Sequence, residues 1–96
     1  MRNVTVAKSN RAGKKFQAKF EDGPTVHFGS EGMSDYTLNK DKERRKQYLA
    51  RHKANENWKD KESAGFWSRY LLWEKPSLRE AAKALRSKGL NVTLQG

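Results

Sequence analysis

A chain of 96 residues with 21 Lys and Arg against 11 Asp and Glu carries a formal net charge of +10. That exceeds the magnitude of ~2 to 8 that solubility asks of a small domain, and it points to a polyanionic partner. Cysteine is absent, which removes disulfides, thiolate metal sites and cysteine nucleophiles together. No run approaches the ~18 apolar residues of a membrane span, and MRNVTVAKSN lacks the apolar stretch of a signal peptide, so the expectation is a soluble protein, not secreted, with no membrane partner.

Val4 and Val6 alternate with Asn3 and Thr5, a short strand, and SNRAGKK then breaks the alternation with Gly13 and a cluster of positive charge. In the following run Phe16, Ala18 and Phe20 share one face, and Gln17 and Lys19 the other, as in a half-buried strand. Glu21-Asp22-Gly23-Pro24 supplies turn chemistry and Val26 and Phe28 resume the period of two, which predicts an antiparallel hairpin whose apolar face needs a lid.

Gly29, Ser30 and Gly32 end the hairpin, and a loop through Met33, Ser34 and Asp35 leads to a helix predicted over Lys42 to Lys53. Asp41 is its cap, Glu43 sits in its first turn, and Arg51, His52 and Lys53 occupy its last. Arg45, Tyr48, Leu49 and His52 form one narrow packing stripe, and the remaining surface is basic. A polar connection holding Trp58 follows, and Ser63 caps a second helix in which Phe66, Tyr70 and Trp73 recur at i, i+4 and i+7, with Trp67 and Leu71 beside them. These rings are expected to be the lid. Pro76 ends that segment; Ser77 and Glu80 make a capping box for a third helix of Leu78, Ala81, Ala82 and Leu85, closed by Gly89. Leu90, Val92 and Leu94 alternate as a last strand returning beside the first.

Strands first and helices second predict an α+β fold over residues 1–96 as a single domain. Its small antiparallel sheet is built from the N-terminal strand, the hairpin and the C-terminal strand, with about three helices on one face.

Catalytic chemistry finds little support. His27 and His52 are the only histidines, and GSEG lacks the following lysine and helix of a phosphate loop, so no enzyme, metal, cofactor or small-molecule substrate is expected. The basic residues carry more weight, because residues 40–61 hold nine Lys or Arg against four acids. Lys42, Arg45, Lys46 and Lys53 on the helix, with Lys8, Arg11, Lys14 and Lys15 around the first loop, are the candidate phosphate contacts. Trp58, a ring among polar neighbours, is the candidate for stacking on a base.

The run VHFGSEGMSDYTLNKDKERRKQYLARHKANENW, followed by AGFWSRYLLWEKPSL, resembles a family of small basic proteins encoded by large double-stranded DNA viruses, including those of algae and amoebae, and by some other viruses. The shared elements are FG, a later glycine, SDYT, KD, a basic pair, Y, RH, ENW, AGFWSR, LLW and KPSL, and they cover about Lys14 to Leu78. At Asn39 the family favours histidine, which weakens any ligand role there. The resemblance implies a viral protein with one compact domain, but it brings no biochemical activity. Together with the charge it gives two expectations. The first is a genome-associated protein that binds nucleic acid, double-stranded DNA above all, through its phosphates, in the virion or the infected cell. The second is a minor capsid-associated protein whose partners are other virion proteins.

Overall fold

The computed structural model describes residues 1–54 and 56–95. Strand β1 (Arg2–Lys8) pairs antiparallel with β2 (Lys14–Phe20), and β2 pairs antiparallel with β3 (Thr25–Ser30). The alternation read from the sequence sets the faces: Val4, Val6, Ala18, Phe20, Val26 and Phe28 are buried, while Thr5, Lys19 and Thr25 face solvent. Strand β4 (Leu90–Leu94) joins on the far side of β1, giving the order β3-β2-β1-β4.

β4 runs parallel to β1, in the register Arg2↔Leu90 to Val6↔Leu94, so the sheet is mixed rather than wholly antiparallel as the sequence suggested. The physical reason lies in the connection. Parallel neighbours need a long crossover, and the helices between β3 and β4 supply it.

Asp35 opens a short helix α1 (Tyr36–Asn39), which the sequence reading treats as loop; its carboxylate accepts from the Thr37 N–H at 2.9 Å. Helix α2 (Lys42–His52) begins where Asp41 accepts from the N–H groups of Glu43 and Arg44, as expected of an N-cap. Ser63 caps α3 (Ala64–Trp67), which continues as a π-helical segment over Ser68–Leu72. Ser77 caps α4 (Leu78–Ala84), extended by a 3-10 turn (Leu85–Lys88) and closed by Gly89 at φ 81°.

The aromatic segment is the lid. Trp67 is fully buried, its ring edge-on to Phe20 at 5.9 Å and tilted against Phe28 at 5.9 Å, and its Nε1 donates to the Lys61 carbonyl at 2.8 Å. The π-helical turn alters which residues join it. A widened turn brings both Leu71 and Leu72 beneath the surface and leaves Tyr70 half-buried, whereas the regular 3.6-residue spacing put Tyr70 at the centre of the buried arc.

Candidate nucleic-acid interface

Two basic segments far apart in sequence open onto one cleft of about 320 Å³. Lys14 and Lys15, at the start of β2, stand on one side; Arg51 and His52, from the last turn of α2, stand on the other. Gly29, Gly65, Ser30, Ser34 and Ser68 also line it. Gly29 has φ 77°, and a Cβ there would lie 2.9 Å from Leu72 Cδ1, so this part of the wall requires glycine. Many of the cleft residues, among them Gly29, Asp35, His52, Glu56 and Trp73, come from the runs that carry the family resemblance.

The carboxylates beside the cleft are engaged. Asp35, 2% exposed, accepts from Lys15 Nζ at 2.6 Å and from the backbone and hydroxyl of Thr37. Glu56 lies 2.9 Å from His52 Nδ1 and accepts from Trp58 Nε1 at 3.1 Å. Lys14 and Arg51 have no carboxylate within 4.0 Å among the described residues, so they are the cations the cleft offers to a ligand.

His52 is held in a column of rings. It stacks on Tyr48 at 4.2 Å, and Tyr48 stacks on Trp73 at 4.4 Å with an interplanar angle of 4°. Burial of Tyr48 pushes its phenol well above the ordinary tyrosine range and keeps it neutral. With one ring face on Tyr48 and Nδ1 at Glu56, His52 is positioned by its neighbours. Among the described residues no hydroxyl is bonded to it, and no three His, Asp or Glu converge as a metal site.

The other candidate contacts divide into those with partners in the fold and those without. Lys15 belongs to the part-buried pair with Asp35. Arg45 donates from Nε to the Trp73 carbonyl at 2.7 Å and from Nη2 to Glu74 at 2.9 Å, which ties α2 to the end of the aromatic segment. Arg69 also pairs with Glu74. Burial alone would raise the Glu74 carboxyl, but the guanidinium groups of Arg69 and Arg45 outweigh it and hold the group below the usual carboxylate range. Trp58 is half-buried, with its ring under the Arg69 guanidinium at 5.1 Å and its N–H on Glu56, so it is anchored to the fold.

Lys8 and Arg11 are exposed around the β1–β2 loop. Lys42, Lys46 and Lys53 are exposed too and recur at i, i+4 and i+11, a stripe turned away from Tyr48 and outside the cleft. Of the candidates, the fold therefore brings Lys14 and Lys15 to α2 but keeps the α2 lysines on a separate face. Arg51, His52 and Glu56 were not among the candidates. Their position in the RH and ENW elements was the available signal. His27, the other histidine, is bonded through Nδ1 to the Ser9 hydroxyl at 2.8 Å, away from the cleft.

No curated protein and no solved structure matches the chain. Residues 4–52, more than half of the sequence, match the family of unknown function DUF5754, and the chain belongs to that family.

Proposed function

We propose that this is a non-enzymatic protein that binds nucleic acid through the phosphate backbone, without base-specific readout, and that it serves the genome of a large double-stranded DNA virus. The observation that carries the reading is the cleft shared by Lys14 and Arg51, two cations without a described carboxylate partner, from segments 37 positions apart in the sequence. The α2 stripe of Lys42, Lys46 and Lys53, on a separate face, and Lys8 and Arg11 on the first loop add exposed positive charge outside the cleft. Phosphate contact needs this arrangement because each cation that meets a phosphate releases condensed counterions, and several must act together for useful affinity.

The test is a salt series of binding to duplex DNA, single-stranded DNA and RNA. Affinity should fall steeply with salt, and Lys14→Gln with Arg51→Gln should reduce the slope by roughly 0.7 to 0.9 per lost contact on any sequence. An unchanged slope removes the cleft from the interface. A capsid-associated role is the second reading, favoured by Met33 and Leu38, which are 64% and 66% exposed. Leu38 also lines an apolar hollow with Phe16 and Leu78. Under that reading Leu38→Ser, which adds no charge beside Lys8 and Lys14, blocks incorporation into particles and leaves nucleic-acid affinity intact.

A further inference from the structure

Away from the cleft, α4 and β4 enclose a groove of about 560 Å³ lined by Arg79, Lys83, Arg86, Ala82, Val92 and Leu94. The groove combines three properties. Its floor is apolar, with Leu94 37% exposed. Its wall carries Arg79, Lys83 and Arg86 at i, i+4 and i+7 on one helical face, exposed and with no carboxylate within 4.0 Å among the described residues. Its open side is the edge of the sheet, because no strand lies beyond β4 among the described residues.

The register fixes which backbone groups that edge exposes. Arg2 N–H donates to the Gly89 carbonyl at 2.9 Å, and Gln95 N–H donates to the Val6 carbonyl at 2.8 Å. Alternation along a parallel ladder then turns Asn91 and Thr93 toward β1, and the amides and carbonyls of Leu90, Val92 and Leu94 outward. The strand LNVTL has none of the charges, prolines or bulges with which exposed edges are blunted.

We infer that this edge takes up an extended acidic peptide of a partner protein, which adds as a fifth strand beside β4 and sets carboxylates against Arg79, Lys83 and Arg86. The spacing suits it. Every second residue of a strand advances ~6.6 Å, and four residues of a helix advance ~6 Å, so acids at alternate positions meet successive cations of α4. The same alternate side chains lie over Val92 and Leu94. A second copy of this chain is disfavoured, since edge-to-edge pairing would bring together two chains of net charge +10. Nucleic acid would meet the cations but leave the strand edge and apolar floor unused, and the groove has no aromatic ring for a base to stack on.

The probe is a blocked heptapeptide alternating Glu and Thr, titrated into the full chain labelled for amide NMR. Binding should shift the Val92 and Leu94 amides and slow their hydrogen exchange, while Asn91 and Thr93, already bonded to β1, change little. Lys83→Glu with Arg86→Glu should weaken binding by about tenfold or more. A peptide methylated on its backbone nitrogens keeps the charge but cannot donate to the edge in either strand orientation, and it should lose the exchange protection. Absence of these shifts, or equal protection by the methylated peptide, overturns the proposal. An oligonucleotide that protects the same amides reassigns the groove to nucleic acid, and a concentration-dependent shift of β4 without peptide reassigns it to self-association. Neither result bears on the cleft at Lys14 and Arg51.

Discussion

Removing the Asp35 carboxylate tests the reassignment of Lys15 from ligand contact to structural ion. Asp35 is 2% exposed and holds the Lys15 ammonium, whose side chain is 14% exposed, at 2.6 Å while capping α1 through Thr37. Breaking a buried pair from one side costs ~3 to 5 kcal/mol because the other charge stays behind. Lys15 can rehydrate in part, so the lower end applies. The lost cap adds ~1 kcal/mol. Asp35→Ala should therefore cost ~4 kcal/mol, against a total stability of about 5 to 14 kcal/mol for a chain of this length. In thermal unfolding that is a drop of roughly 15 °C or more in Tm. Asp35→Asn keeps an acceptor for the Thr37 N–H and should lose less. In a cycle with Lys15→Met, the double variant should be more stable than the sum of the single losses implies, since the second change removes a stranded charge. Unfolding is followed by circular dichroism, and the salt slope of DNA binding is measured on the same proteins. Should Lys15→Met leave Tm unchanged and lower the salt slope, Lys15 is a phosphate contact and the pairing argument fails.

Three further outcomes follow from the geometry. Gly29→Ala should destabilise by ~2 kcal/mol or more, from the positive φ and from a Cβ 2.9 Å from buried Leu72; an unchanged denaturant midpoint would contradict the tight wall. Trp73→Ala should cost ~3 to 5 kcal/mol, since the ring is 9% exposed and supports Tyr48; retention of wild-type stability would mean the segment is not core. Glu74 titrates in the folded state below its ordinary value of 4.5, so its contribution is fully present above that pH and is lost as pH falls through the lower, folded value. Wild type should therefore lose its advantage over Glu74→Gln on the acid side of about 4.5, and an advantage that persisted at low pH would refute the arginine clamp.

The legible parts of the fold are those with a local signature. The alternation of Phe16, Ala18 and Phe20 assigns β2 and its buried face, and Asp41, Ser63 and Ser77 mark three helix starts because a cap acts on N–H groups two or three residues away. The direction of β4 has no such signature, since Leu90, Val92 and Leu94 present the same face whether the strand runs up or down. Nor does the π-helical turn, which depends on how Trp67, Leu71 and Leu72 fit the hairpin. Alternation located Lys15 and helical spacing located Arg45, but neither indicates a carboxylate 20 or 29 positions away. The same limit hid the cleft, to which β2 and α2 both contribute, and the contact of Trp58 with Arg69, 11 positions on in the sequence.

The column of His52, Tyr48 and Trp73 lies along the cleft wall, with ring separations of 4.2 and 4.4 Å. It gives the protein an intrinsic optical readout. An occupant that displaces His52 moves the ring on which it rests, and that ring lies flat against an indole whose emission responds to its immediate surroundings. Occupancy of the cleft can then be followed without any attached label, and a Trp73→Phe variant, which keeps a ring beside Tyr48 but removes the indole, should lose that part of the signal.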